Sequence, residues 1–281
     1  MIEPEDLPIT HNSKEPLSVC RNNNDAIDGS CIPTDILRKI IKRIEPNNNI
    51  TSRKDMIDII DKKLNLSHKT EYLIVGLKIM NDLSNYDQTR LIHSFKPRGP
   101  TDKTWLSNFD INKVFENYEL DNPDFKFLDA TYNDFLYFPS NNKYKNLKFF
   151  KEYSNKNQFG MIINQDTHEK GGSHWVGLYF NRKGDIYYFD SVGYPPKKNV
   201  KDFINLLEMY FKKNNIKIHL KINSNNQQQG DSECGVYSTL FLIRVIEGEP
   251  INDIFNNTIP DQIMNMARKF IFNPLGIEVE N

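Results

Sequence analysis

The sequence is poor in cysteine and tryptophan: 281 residues hold three of the first and two of the second. Three is an odd number at low density, and Cys20, Cys31 and Cys234 form no Cys-x-x-Cys pair. A secreted disulfide framework and a zinc ribbon are both disfavoured, and a reducing compartment with a free reactive thiol is expected instead. Charge of one sign is not in excess either. Lys and Arg total 36 against 37 Asp and Glu, a formal net charge of -1. That balance supplies no global pull toward nucleic acid or anionic lipid. No stretch reaches the roughly 20 apolar residues a membrane helix needs. The opening, Met1 to Asn12, carries Glu3, Glu5 and Asp6 and no apolar run, unlike a signal peptide. With 13 Gly and 14 Pro, the chain is neither collagen-like nor wholly disordered. What it does have is 38% hydrophobic and 12% aromatic residues, enough for a full core in about two domains.

Residues 1–30 are polar and irregular, ending in Asn22-Asn23-Asn24-Asp25 and Asp28-Gly29, which read as loop and turn. Residues 31–96 carry helical spacing. Pro33 and Thr34 precede the apolar stripe Ile36, Leu37, Ile40, Ile41 and Ile44, and Thr51-Ser52 precede Met56, Ile57, Ile59, Ile60 and Leu64. A third helix is predicted over Glu71 to Leu83, which makes this region a small helical bundle. Its basic residues, among them Arg38, Lys39, Lys42 and Arg43, read as a solvated helix face. Phe95-Lys96-Pro97-Arg98-Gly99-Pro100 breaks the periodicity, so the domain boundary is placed there, with residues 97–281 as the second domain.

Beyond the break, a helix is predicted at Asn108 to Tyr118, and strands at Phe135 to Phe138, Gly160 to Ile163, Trp175 to Phe180, Ile186 to Phe189 and Ile216 to Ile222. Helices fit Val200 to Lys213 and Gly235 to Ile246. The strands Trp175 to Phe180 and Ile186 to Phe189 flank Asn181-Arg182-Lys183-Gly184-Asp185, a hairpin signature. Centring the turn on Arg182 sets His174 opposite Asp190, Val176 opposite Tyr188 and Leu178 opposite Ile186. Opposed residues have Cβ atoms about 4.5–5.5 Å apart, within reach of an imidazole to carboxylate hydrogen bond. Asp190 would then fix the tautomer and orientation of His174, as a general base requires.

Gln227-Gln228-Gln229-Gly230-Asp231-Ser232-Glu233-Cys234-Gly235 immediately precedes the apolar run Val236 to Ile246. Asp231 and Ser232 are candidate caps, which puts Cys234 in the first helical turn, where backbone N–H groups and the helix dipole favour an anion. Gly235 would let a neighbouring backbone approach, and the apolar run would anchor the helix in the core. Acyl transfer also needs donors aimed at the developing oxyanion. The Cys234 backbone N–H and a glutamine amide are candidates, with Gln227, Gln228 and Gln229 all open.

His174-Trp175, Tyr188-Phe189-Asp190-Ser191 and Gln228 through Glu233-Cys234-Gly235 together resemble the Ulp/SENP and adenain-like cysteine peptidases. The likeness extends to the maturation proteases of large DNA viruses such as African swine fever virus. Their pattern is His-Trp on a strand, Asp or Asn ending the next strand, then Gln shortly before Asp-Cys-Gly at a helix start. The resemblance implies an α+β fold: a central mixed sheet flanked by helices, with the nucleophile at a buried helix N-terminus, here joined to an N-terminal helical arm domain. It implies His174 as base, Asp190 as its partner, Cys234 as nucleophile and Gln228, by its spacing to Cys234, as the oxyanion amide.

Upstream, Trp105-Leu106-Ser107-Asn108 resembles the segment that opens the catalytic core of that family, so Trp105 and Trp175 are the expected substrate-binding pair, roofing a tunnel for a Gly-Gly end. Two departures stand out. Glu233 replaces the usual Asp, and Asn108 stands where SUMO proteases carry an acidic residue that engages their substrate.

The resemblance implies a thiol endopeptidase that cuts viral polyproteins or structural precursors after small residues of Gly-Gly-X type during virion maturation. A SUMO or ubiquitin-like deconjugase is the alternative. No metal or organic cofactor is expected. The expected partners are a protein substrate and a protein docked on the helical arm, with no membrane and no specific nucleic acid. Host cytoplasm and virion are the expected locations.

Overall fold

The protein is described from a computed structural model that covers residues 30–64, 83–138 and 142–272. These residues fall into two compact units, one of residues 102–268 and one of residues 30–101 with 269–272.

The smaller unit is helical. Helix α1 (Thr34–Ile44) begins after Pro33, whose fixed φ suits a helix entry, and buries Ile36, Leu37, Ile40 and Ile41 along one stripe. Helix α2 (Arg53–Leu64) contributes Met56 and Ile60 to the same core, and α3 (Asn85–Ile92) contributes Leu91. Ser84 caps α3 by accepting from the Asp87 N–H, a favoured N-cap role. Ion pairs of Arg90 with Asp35 and Lys39 with Asp87 lie along the polar faces, as the solvated-face reading of Lys39 expects. The helix expected over Glu71 to Leu83 falls, apart from Leu83, outside the described residues. Cys31 is fully buried and disulfide-bonded, a bridge that the expected reducing compartment does not favour; an odd count excludes complete pairing and not a single pair. Cys20 lies outside the described residues.

The larger unit is built on a five-stranded mixed sheet in the order β1 (Phe125–Tyr132), β2 (Gln158–Asn164), β3 (Trp175–Asn181), β4 (Asp185–Phe189) and β5 (His219–Ile222). The outer pairs are parallel and the inner two antiparallel. This is the α+β architecture expected.

Alternation along β3 sends side chains to opposite faces. Val176, Leu178 and Phe180 join Phe203, Ile204 and Leu207 of α7 (Lys198–Lys213) in one apolar cluster. On the other face Gly177 meets α8 (Cys234–Ile246): a Cβ at Gly177 would come within 2.5 Å of the Phe241 ring. All of β3 is buried, as a strand sandwiched between helices must be. Helix α4 (Asn108–Asp121) packs on β1, where Phe115 stacks on Phe127 at 4.2 Å between centroids. Two short helices, α5 (Asn142–Lys145) and α6 (Phe149–Glu152), follow β1, and α9 (Ile251–Asn256) and α10 (Asp261–Ile271) close the chain order.

Three expectations need correction. Phe135 to Phe138 is not a strand: Phe135–Tyr137 is a 3₁₀ turn closed by the Tyr137 N–H on the Asp134 carbonyl, because burial of Phe135 and Leu136 rather than sheet pairing satisfies the aromatic run. The strand placed at Ile216 to Ile222 is confined to β5, His219–Ile222. The hairpin register is also shifted. Leu178 opposes Tyr188 and Phe180 opposes Ile186, two residues from the expected pairing. The turn sits one residue later because the Asn181 carboxamide oxygen accepts from the Lys183 and Asp185 N–H groups and Gly184 takes φ +96°.

Candidate active site

The start of β3 and the end of β4 meet on the side of the sheet where α8 begins. His174 stands just before β3, and Asp190 just after β4. Although the register differs from expectation, the shift is even, so the faces are preserved. His174 Nε2 and Asp190 Oδ1 are 2.8 Å apart. The carboxylate is 2% exposed, and Oδ1 also accepts from the Val192 N–H at 2.8 Å. The backbone carbonyl of Asp190 accepts from Asn223, which is itself buried. Asp190 therefore has a fixed place before the imidazole arrives.

With Nε2 on Asp190, Nδ1 remains for the other side, and the Cys234 side chain is close enough to the imidazole to help raise its pKa. Burial opposes the charged ring, but the hydrogen bond to Asp190, the interaction with Cys234 and the two nearby charges outweigh it and raise the His174 pKa to about 9. An imidazolium at neutral pH is suited to face a thiolate. Cys234 is 2% exposed, is the free cysteine among the described residues, and is the first residue of α8. The expected caps do not form: Glu233 occupies the N-cap with no side-chain cap bond, so the first N–H groups of α8 are not claimed by an Asp231 or Ser232 side chain.

The three glutamines separate clearly. Gln227 is buried and donates to the carbonyls of Ile254 and Phe255, away from the imidazole. Gln229 is exposed, and its backbone N–H bonds Asp261. Gln228 is 5% exposed, its N–H donates to the Ser191 carbonyl, its Oε1 accepts from the Ser191 hydroxyl at 2.7 Å, and its Nε2 donates to the Gly230 carbonyl at 2.9 Å. The second Nε2 hydrogen is left over. Of the three, Gln228 is thus the amide brought beside Asp190-Ser191.

Sequence reasoning does not find the residues that hold this loop. Arg268, fully buried on α10, donates to the carbonyls of Thr104 at 2.7 Å and Ser232 at 2.8 Å. Asn265 and the Ser232 hydroxyl both donate to Glu233 Oε1 at 2.7 Å. Burial alone would push Glu233 up, but the bonds from Asn265 and Ser232 and the charge of Arg268 prevail and hold its carboxyl below the usual range. Asp261 accepts from the Gln229 and Gly230 N–H groups, at 3.0 and 2.6 Å, and is 2.9 Å from the Tyr237 hydroxyl. No local motif marks Asp261, Asn265 and Arg268, since they reach partners 24 to 164 residues away. Ser191, by contrast, lies inside the Tyr-Phe-Asp-Ser motif and has its signal there.

The segment of Trp105 lies against α8. A Cβ on Gly235 would stand 3.1 Å from the Leu106 Cβ, so this glycine admits a side chain and not the backbone expected. The Leu106 carbonyl accepts the Trp175 indole N–H at 2.9 Å. Trp105 is 46% exposed whereas Trp175 is 6% exposed.

Residues 125–275 match the Ulp1 protease family, C-terminal catalytic domain, which is more than half of the chain. The chain belongs to the Ulp1 protease family. It is 36% identical over 186 residues to a candidate thiol protease of Acanthamoeba polyphaga mimivirus, a match that covers 65% of this chain and 61% of that relative. The chain thus spans less than two thirds of the mimivirus protein. It is 24% identical over 251 residues to a cysteine protease of African swine fever virus, covering 78% of this chain and 88% of that relative. A crystal structure of an African swine fever virus protease superposes with a TM-score of 0.64 at 18% identity, over 95% of this chain and 98% of the other, a likeness of fold.

Proposed function

We propose that this chain is a thiol endopeptidase with Cys234 as nucleophile, His174 as base and acid, Asp190 as its orienting partner and Gln228 as oxyanion donor. The observation that carries the reading is the placement of His174 between Asp190 and Cys234, with its pKa raised to about 9. The Cys234 sulfur attacks the scissile carbonyl carbon, and the oxygen gathers negative charge. In this reading the free Gln228 amide hydrogen and the Cys234 backbone N–H receive it. As the C–N bond breaks, the His174 imidazolium gives its proton to the departing amine. Water, deprotonated by the now neutral His174, then hydrolyses the thioester and returns the thiol.

The substrates proposed are viral polyproteins or structural precursors cut after small residues of Gly-Gly-X type during virion maturation. Kinship with the African swine fever virus cysteine protease supports this choice. In this reading the half-exposed Trp105 indole covers the substrate chain, and buried Trp175 supports it through the Leu106 carbonyl. The helical unit of residues 31–96 is proposed as an arm domain that docks a partner, and the catalytic domain begins near residue 97. Host cytoplasm and virion are the proposed locations.

A second reading, deconjugation of a ubiquitin-like protein, is favoured by the family and by African swine fever virus relatives named SUMO-1 cysteine protease. Asn108, in place of an acidic residue, weighs against it. Incubating infected-cell protein with the wild type and with Cys234→Ala tests both. New N-termini after Gly-Gly that are absent with Cys234→Ala support the endopeptidase. Reaction only with a SUMO vinyl-sulfone probe supports the deconjugase, and cleavage retained in Cys234→Ala overturns the assignment of the nucleophile.

A further inference from the structure

We infer that the substrate residues following the scissile bond occupy the cavity beside His174 and that this side of the substrate is acidic. The inference rests on the endopeptidase reading and extends it to the leaving group. The group that protonates a departing amine must be within hydrogen-bond reach of it, so the leaving half of the substrate lies at the His174 edge of the site. A cavity of about 330 Å³ adjoins that edge, walled by Ser173, Val192, Tyr194, Pro195 and Lys197. A second cavity of about 400 Å³ shares Gln165 and Lys197 with it and continues to Lys170 and Lys198. The two make one path leading away from the base.

The lining is cationic. Asp190 is committed to His174, which leaves Asp166 as the other carboxylate among the lining residues. Lys198 is paired with Asp202 at 2.8 Å. The Lys197 ammonium instead donates to a neutral acceptor, the Gln165 carbonyl, at 2.9 Å, so no carboxylate offsets its charge there. Lys170 stands at the far end. Tyr194, 67% exposed, and Pro195 offer an apolar wall. A glutamate fits this arrangement best: its methylene stem lies on Tyr194 and Pro195 while its carboxylate reaches Lys197, and a second acidic residue meets Lys170. A lysine on this side would meet like charge, which costs affinity and selects against it.

The test uses two peptides with one Gly-Gly non-primed half, followed by Glu-Glu or by Lys-Lys. The wild type is expected to cleave the Glu-Glu peptide with about tenfold higher kcat/KM in low salt, and the ratio should shrink as salt rises. Lys170→Glu should reduce the ratio, and Lys170→Glu with Lys197→Glu should invert it. The single variant keeps the test decisive should the loss of the Gln165 tether disturb folding. Equal rates, or a preference for Lys-Lys, overturn the inference while leaving the protease intact. Anisotropy of the labelled peptides on Cys234→Ala separates the two claims. Selective binding of Glu-Glu without any cleavage by the wild type sinks the endopeptidase reading and keeps the subsite, and binding without selectivity sinks the subsite.

Discussion

The hydroxyl of Ser191 donates to the Oε1 of Gln228 across 2.7 Å, and neither side chain has meaningful access to solvent. A carboxamide can turn over at little cost when nothing distinguishes its two ends; here the Ser191 hydroxyl at Oε1 and the Gly230 carbonyl, which accepts from Nε2 at 2.9 Å, together supply that distinction. The neighbouring residue Asp190 holds the imidazole. One dipeptide at the end of β4 therefore orients both the His174 imidazole and the Gln228 amide.

Ser191→Ala leaves the Gln228 oxygen without its donor and the amide held by the Gly230 carbonyl alone. We expect kcat to fall by about tenfold, equivalent to about 1.4 kcal/mol, with KM and the melting temperature nearly unchanged. Gln228→Ala should cost more, on the order of a hundredfold. Steady-state kinetics of both variants checks this, and a Ser191→Ala enzyme with a raised KM and unaltered kcat would refute the positioning role.

Asp190→Asn removes the carboxylate charge, and weakens the hydrogen bond, that against burial keep His174 protonated to about pH 9. On the proposed mechanism the imidazolium is the acid for the leaving amine, so kcat/KM should decline on the alkaline side near pH 9. In Asp190→Asn that limb should move to lower pH and kcat should fall by about a hundredfold or more. Stability follows the same proton. A group whose folded pKa lies above its unfolded value of 6.5 adds stability that is complete below pH 6.5 and is lost as pH rises through about 9. Melting curves should therefore separate the two proteins more at pH 6 than at pH 10.

Arg268→Leu withdraws a buried guanidinium from the carbonyls of Thr104 and Ser232. Leaving buried acceptors unpaired costs about 1–3 kcal/mol each, so a destabilisation of about 3 kcal/mol is expected in urea titration. Ser232 adjoins the N-cap of α8, so kcat should also drop in protein that remains folded. A stable variant with full activity would show that the α10 clamp has no part in placing the nucleophile.

Much of this site is legible in the sequence because its chemistry lies in short motifs. His174-Trp175, Asp190-Ser191 and Glu233-Cys234-Gly235 each sit at the end of an element whose apolar pattern is plain. Strand β1 escapes sequence reading because its alternation is broken. Lys126 is drawn to Glu119, and the pairing with β2 is irregular between Phe127 and Asp129. The 3₁₀ turn at Phe135–Tyr137 reads as a strand because aromatic residues favour pleated and tightly packed settings alike. The supporting side chains of α10 are invisible for a different reason: Arg268 and Asn265 act across 32 or more positions of sequence, and a polar residue on an amphipathic helix looks solvated until its partner is known.

The turn between β3 and β4 acts as a ruler for the reaction. Its length, fixed by the Asn181 carboxamide and Gly184, decides which residues of the two strands arrive together at the sheet edge. A change of two residues in strand pairing leaves each side chain on its face, and a change of one sends it to the opposite face. Even a two-residue slip would carry Asp190 about 6.8 Å along the strand from its place beside His174, so the turn must set the length of the hairpin as well as its parity for the 2.8 Å contact to form.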